Sequence, residues 1–498
     1  MSGIRIGREA GSPFNGGRFE GWGSSFCWWA NRIGYSDRLT EQAARLFYGQ
    51  EAGALALNII RYNIGGGDDP THQHITRTDS AMPGFLVKQA DGSLAYDWNA
   101  DERQRKVLRA AVCACGTAVG QKAGTGAIVE AFSNSPPWFM CKSGCSSGAE
   151  KPEEDNLRAD QYEAFADYLA TVAEHFKTDW GIRFQSIDPM NEPASAYWGA
   201  MSEKQEGCHF DPGESQSRML LAMRNALDRH GLCDVILCGT DETSIDVQID
   251  SFEKLSPEAR DAIARIDTHT YMGSRRAELR KLAARHGKNL WMSEVDGGDV
   301  AGVSAGEMGA ALALARKIIT DLNGLEASAW ILWQLIGDHI SSEGMNGNRD
   351  SGMPDTRGGY WGIAVADHDR GEIVLTKKYW AFWQFTHFIR PGMYVLRLAG
   401  TVDEADCLAA YDADSGALVI VAVNYLSCPR FFTADVSAFL HGRHGRVTIR
   451  AYRTSGSLSD GENSAPAECG RIRWGRLKAQ LRANSITTFV LSPVQAAD

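Results

Sequence analysis

Eight apolar runs, separated by segments of helical character, constrain this chain more than any other feature. They are "GWGSSF" (21–26), "ALNIIRYNI" (56–64), "AIVEAFSNS" (127–135), "FQSIDPM" (184–190), "VILCGT" (235–240), "RIDTHTY" (265–271), "LWMSE" (290–294) and "SAWILWQ" (328–334). Several are apolar throughout, as strands buried on both faces should be. Between them, "TEQAARLFYGQEAG" (40–53) offers a Thr cap and a Gly stop. "ADQYEAFADYLATVAEHFKTDWG" places Tyr162, Phe165, Tyr168, Leu169, Val172 and Phe176 at helical spacing, and "SAGEMGAALALARKIITDLNG" reads the same way. Eight such alternations predict a (β/α)8 barrel rather than an open sheet.

After residue 390 the texture changes. "ALVIVAVNYL", "RVTIRAYRTS" and "SITTFVLSP" are short and β-branched, and helical periodicity stops. This predicts a β-sandwich over 391–498, joined at Pro391-Gly392 to a barrel over 19–390. The opening segment 1–18 contains "IRIG", expected to pair with the sandwich.

In such a barrel the site lies where the strands end. There the runs offer Trp22, Arg61, then "GGGDD" with Asp68, then Asn134 and Trp138, Asn191 and Glu192, His269 and Tyr271, Glu294, and Trp333. Singly, each has a bland reading. Arg61 also reads as an ion-pair partner, His269 as a core histidine, and Trp138 and Trp333 as packing. Together, two lone carboxylates on one rim, in "SIDPMNEPAS" and "LWMSEVDGG", match the needs of glycoside hydrolysis. One carboxyl must donate a proton to the leaving oxygen, and the other must be ionised. An Arg nearby keeps one of them anionic.

Composition narrows the partners. Net charge is −11, with a pI near 5.6 and no basic block, which argues against nucleic acid. The 14 Trp lean toward carbohydrate, because ring faces stack on sugars. No run of 18 apolar residues spans a membrane, and the N-terminus lacks an apolar signal core. A cytoplasmic protein is expected, or a secreted one if a signal precedes this sequence. The 11 Cys, an odd number, favour reduced thiols. Cys113/Cys115 and Cys141/Cys145 lack metal-type doublets, and His72 and His74 with Asp68 and Asp69 read as a solvated polar loop, so no metal is expected. "GGGDD" lacks the Lys-Ser/Thr of a phosphate loop.

The ordered set "RYNIGGGD", "SNSPPWFM", "PMNEP", "THTY" and "WMSEVDGG", with the trailing sandwich, resembles glycoside hydrolase family 30 over nearly the whole chain. "GWGSSFCWWA" is similar to the β-1,6-galactanase branch. The resemblance implies a retaining β-glycosidase without cofactor, with Glu192 as general acid/base and Glu294 as nucleophile. It also implies Asn191 at the 2-hydroxyl and Tyr271 on the nucleophile. Arg61, Asp68, Trp138, His269 and Trp333 would line the subsite of the attacked sugar, with Asn134 and Trp22 beside them. The expected substrate is β-1,6-linked galactan or its oligosaccharides, the lack of a visible signal favouring imported oligosaccharides. The alternatives are a β-glucosidase, β-xylosidase or β-fucosidase of the same family, and a carbohydrate-binding protein on an inactive barrel.

Overall fold

The computed structural model describes residues 3–76, 79–116, 126–296, 307–342, 362–399, 407–440 and 447–494. Eight parallel strands follow one another around a closed barrel: Gly21–Ser25, Ile59–Asn63, Ile128–Phe132, Ser186–Asp188, Ile236–Ser244, Arg265–Met272, Asn289–Glu294 and Ala329–Leu332. The eighth pairs in parallel with the first, Ala329 opposite Gly21 and Leu332 opposite Ser24, which closes the ring. Each of the eight apolar runs supplies one strand, so the (β/α)8 barrel read from the sequence is the one observed.

Helices shield the ring from outside. Tyr162–Thr178 buries Phe165, Leu169, Val172 and Phe176 along one stripe. Met308–Leu325 buries Leu314, Ile318 and Leu322 in the same way. One local expectation is corrected. Thr40 does not cap its helix. Ser36 does, its hydroxyl accepting from Leu39 N at 3.2 Å, so the helix begins at Asp37 and Thr40 falls inside it.

A ten-stranded, mostly antiparallel sheet forms the second unit. Ile4–Ala10 lies within it, antiparallel to Tyr394–Ala399 and parallel to Arg430–Asp435. The sheet folds over its own core, with Phe432 and Phe489 stacked at 6.1 Å between centroids. This is the sandwich.

The helix Lys377–Thr386, which follows the eighth strand, is wedged between barrel and sandwich. Tyr379 donates to Leu46 O and Gly53 O on the barrel side. On the sandwich side, the Lys377 ammonium reaches Ser455 O, Ser457 O and Glu462 O at 2.9–3.0 Å and Asn463 Oδ1 at 2.6 Å. Burial lowers its pKa to about 8, so its charge carries a desolvation cost that these acceptors offset. Lys377→Met strands those acceptors, and we expect a loss of about 2–4 kcal/mol. An unchanged urea midpoint would contradict this role.

Buried carboxyls tie helices to strands in a second way. Glu242, on the fifth strand, accepts from Ser251 Oγ at 2.7 Å, Gln216 Nε2 at 2.9 Å and Ala194 N at 3.0 Å. Asp101, ahead of the helix Glu102–Cys115, accepts from Tyr62 OH and from Gln104 Nε2. Burial pushes both up to about 7. Between the ordinary carboxyl range near 4 and pH 7, the unfolded chain has released these protons and the native chain retains them. Stability therefore falls as pH rises across that window and levels off above it. The urea midpoint of Glu242→Gln should fall less between pH 5 and pH 7.5 than that of the parent, and an equal or steeper fall refutes the argument.

Candidate active site

Arg61 leaves the second strand pointing into the barrel and is fully buried. Its Nε meets Glu130 Oε1 at 3.0 Å, Nη2 meets Asp241 Oδ2 at 2.6 Å, and Nη1 meets Glu294 Oε2 at 2.9 Å. Nη1 also donates to Ser293 O at 3.2 Å, and the guanidinium lies 4.1 Å from the Phe132 ring centroid. Burial opposes the charge, but Asp241, Glu294 and Asp267 hold the guanidinium firmly protonated, above its ordinary value.

Glu192 and Glu294 meet above this hub. Glu294 is the last residue of the seventh strand and is 3% exposed. Tyr271 OH donates to its Oε1 at 3.2 Å. Glu192 follows the fourth strand in the left-handed region, at φ 48°, and is 7% exposed. Its Oε2 accepts from Tyr197 OH. His269 stands between the two, its Nδ1 2.9 Å from Glu192 Oε1 and 3.6 Å from Glu294 Oε1. One oxygen of each glutamate and a ring nitrogen of His269 all lie within 4.8 Å of one another. His269 Nε2 is 3.1 Å from Asp241 Oδ1, off-line for a hydrogen bond.

Burial works against a charged His269, but Glu294 and Asp241 raise its pKa well above the ordinary imidazole value. Burial pushes the Glu294 carboxyl up to about 7, against the pull of His269 and Arg61. Burial also raises Glu192, but the His269 and Tyr197 hydrogen bonds outweigh it and hold Glu192 below the ordinary range.

A cavity of about 690 Å³ opens over the pair, lined by Trp28, Asn191, Glu192, Tyr271, Glu294 and Trp333 among others. Trp28 and Trp333 meet edge to face at 5.1 Å and form its apolar wall. Asn191 Oδ1 has no hydrogen-bond partner among the described residues. Ser202, Glu203 and Lys204 form part of the polar wall.

The structure thus gathers Arg61, Asn191, Glu192, His269, Tyr271, Glu294 and Trp333 at one place. Four residues singled out from the sequence sit elsewhere. Trp22 is fully buried on the outside of the barrel against Phe19, Trp330, Phe382 and Phe385, with Nε1 donating to Ile389 O at 2.7 Å. Its side chain points to the helix layer, so it cannot touch a ligand, and Trp28 supplies the aromatic wall instead. Trp138 turns to Lys88, whose ammonium lies 5.5 Å from its ring. Asn134 is buried beneath the wall, with Nδ2 3.7 Å from Cys27 Sγ. Asp68 faces His72 and His74 and is not part of the cavity lining.

Among the site residues not read from the sequence, besides Trp28 and the Ser202–Lys204 wall, are Asp241, Thr243 and Tyr197. Asp241 and Thr243 follow the point where the fifth apolar run stops, in "GTDETS", yet the strand continues to Ser244. Tyr197 lies five residues beyond Glu192. The triple glycine also has a structural reason. Gly66 and Gly67 both donate to the buried Glu206 Oε1 at 3.0 Å, so these amides hold a carboxyl group of the same chain. A Cβ on Gly66 would stand 2.5 Å from Pro136 O.

The pattern of O-glycosyl hydrolase family 30 matches residues 18–240. An endo-β-1,6-galactanase of Hypocrea rufa is 31% identical, over 96% of this chain and 93% of that protein. An exo-β-1,6-galactobiohydrolase of Bifidobacterium longum subsp. longum is 25% identical over 89% of this chain, which spans 35% of that longer protein. A conserved exported protein from Bacteroides fragilis has the same fold, with TM-score 0.74 at 20% identity, over 98% of this chain and 100% of that one. The catalytic domain of the family 30 xylanase C from Talaromyces cellulolyticus gives TM-score 0.70 at 18% identity, over 98% and 99% of the two chains. With a relative aligned end to end at 31% identity, the chain belongs to glycoside hydrolase family 30.

Proposed function

We propose that this glycoside hydrolase cleaves β-1,6-linked galactan or galactooligosaccharides with retention of configuration. The observation that carries the mechanism is the closeness of the two carboxyl groups, with oxygens within 4.8 Å. Retaining enzymes hold their carboxyls about 5–5.5 Å apart, whereas inverting enzymes leave room for a water, at about 6.5–9.5 Å. The substrate rests on the names of the two relatives, a β-1,6-galactanase and a β-1,6-galactobiohydrolase.

The surroundings divide the roles. Glu294 is gripped by Arg61 on one oxygen and Tyr271 on the other. That arrangement fixes a nucleophile and stabilises its anion. Glu192 is held by Tyr197, whose hydroxyl donates to it, and by His269, which can exchange a proton with it. Among the protein's own groups the proton favours Glu294 and His269 over Glu192. The reactive arrangement needs the reverse, with Glu192 protonated and Glu294 ionised. His269 Nδ1, bonded to Glu192 Oε1 at 2.9 Å and 3.6 Å from Glu294 Oε1, stands on the route for that transfer.

Glu294 then attacks the anomeric carbon while Glu192 protonates the leaving oxygen, giving a glycosyl-enzyme. Glu192, now ionised, removes a proton from water, and that water releases the sugar. Asn191 Oδ1, without a partner among the described residues, is placed to accept a hydroxyl of the sugar, and Trp28 and Trp333 provide an apolar face for its ring.

Two measurements test the reading. Incubation with β-1,6-galactooligosaccharides of defined length should release shorter galactosides of β configuration at first appearance. An α product, or no cleavage while another aryl β-glycoside is turned over, overturns the mechanism or the sugar respectively. The second test separates the two glutamates. Glu294→Gly should lose several orders of magnitude on every substrate, and added azide should yield the α-glycosyl azide by direct displacement. Glu192→Gln should still form the glycosyl-enzyme from an activated aryl glycoside, and azide should release it as the β-azide. The opposite pattern would exchange the roles.

A further inference from the structure

We propose that Asp68, His72, His74 and Cys145 form a binding site for a zinc-class divalent cation that ties together the loops walling the substrate cavity. The four come from two stretches that are distant in sequence. Asp68, His72 and His74 follow the second barrel strand, and Cys145 follows the third. One donor atom from each lies within 4.8 Å of all the others.

The spacing suits a tetrahedral ion. Cys145 Sγ is 3.3 Å from His74 Nε2 and 3.9 Å from Asp68 Oδ2, and His72 Nδ1 is 3.3 Å from Asp68 Oδ1. An ion with Zn–S near 2.3 Å and Zn–N near 2.0 Å sets neighbouring donors roughly 3.3–3.5 Å apart. Asp68 Oδ2 departs from that spacing on both sides, 3.9 Å from Cys145 Sγ and 2.6 Å from His74 Nε2, and the short contact needs a proton between the two. A cation would take the place of that proton.

Outer partners already orient three of the donors, as metal sites require. His74 Nδ1 lies 2.6 Å from Ser202 O, which places the ring proton on Nδ1 and turns Nε2 toward the cluster. Ser146 N donates to Asp68 Oδ1 at 3.1 Å. Cys145 Sγ accepts from Met201 N at 3.4 Å and lies 3.2 Å from Ser147 Oγ. Cys145 is buried and unbridged, and the His72 and Asp68 side chains, 24% and 17% exposed, leave a path for an ion. One thiolate, two imidazoles and one carboxylate select zinc or cobalt over magnesium or calcium. Two negative donors also neutralise a divalent charge.

The location gives the ion a structural task. Ser202, the outer partner of His74, lines the substrate cavity, as do Thr76, Glu203 and Lys204. Thr76 N donates to Glu203 O at 3.0 Å, and Ser80 Oγ to Lys204 O at 2.6 Å. The cation would fix the stretch bearing Thr76 against the stretch bearing Ser202–Lys204, away from the reacting carboxylates.

The test is direct. The full-length protein is stripped with a chelator and titrated with Co(II), then with Zn(II). One equivalent of Co(II) should bind, giving intense visible bands of a tetrahedral ion and a near-ultraviolet sulfur-to-cobalt band. Zn(II) should displace it, and elemental analysis should find one zinc per chain. Cys145→Ser should lose the sulfur band. His72→Asn, at a partly exposed position that leaves the fold intact, should weaken binding beyond the about 10- to 100-fold expected for loss of an outer partner. The absence of Co(II) binding to the parent would show a plain His–Asp ion-pair cluster and overturn the proposal. So would a sulfur band that persists in Cys145→Ser, or His72→Asn binding as tightly as the parent.

Discussion

Arg61 is the interaction on which the rest of the site depends. A guanidinium with no solvent contact can persist only where its donors are matched by anions, and here it meets three, from the third, fifth and seventh barrel regions. Arg265 repeats the device one layer below. It bonds Asp267 at 2.7 Å, pairs with Glu130, and lies 3.4 Å from the centroid of the Trp291 ring. The barrel interior is therefore held by interlocked charges as well as by aliphatic layers. Such a network is poor evidence for stability, because apolar replacements of equal volume often do as well. Its value is orientation. The fork of Arg61 fixes Glu294 and Asp241 in register, and Asp241 in turn sets Ser293 and faces His269.

The same charges decide where protons reside. Three cations, Arg61, Arg265 and His269, face six carboxyls, those of Glu130, Asp188, Asp241, Asp267, Glu192 and Glu294. They cannot all ionise in so dry a space. Asp188 is pushed well above its ordinary value, by burial first and then by Asp241 and Asp267. Asp241 goes the other way, because Arg61 and His269 overcome the effect of burial. Between these extremes lie the two catalytic candidates, close enough that their titration belongs to the pair. A site built this way can place its proton on Glu192 at small cost before the first step, after which Glu192 gives it to the leaving oxygen and regains one from water in the second step.

What could be read in the sequence follows from how local each signal is. Eight apolar runs and a carboxylate at the end of two of them are visible within a few residues, so the barrel and both glutamates were legible. Trp22 was misread because glycines flank it in "GWGSS" and leave no alternation to show which way the strand faces. Asp241 was missed because the fifth strand continues through polar residues whose partners, Arg61 and Ser293, come from other strands. Asp68 looked like a sugar ligand or a solvated acid, since its neighbour Cys145 stands 77 positions away. Contacts between loops of different strands leave no trace in spacing.

This division between strand ends and loops also separates chemistry from choice of sugar. Arg61, His269, Tyr271 and Glu294 belong to strands, whose positions the closed hydrogen-bonded ring fixes. Trp28, Trp333 and the Ser202–Gln205 wall belong to segments beyond the strands. Those segments are held by a few cross-loop bonds, such as Glu206 to Gly66 and Gly67 and Thr76 to Glu203. A change of wall can alter which glycoside enters without disturbing the carboxylate pair. It is consistent with this that a family 30 xylanase at 18% identity shares the architecture across the whole chain, while the galactan-cleaving relative is recognisable at 31%. The fold sets where the two carboxylates stand, and the loops set which sugar reaches them.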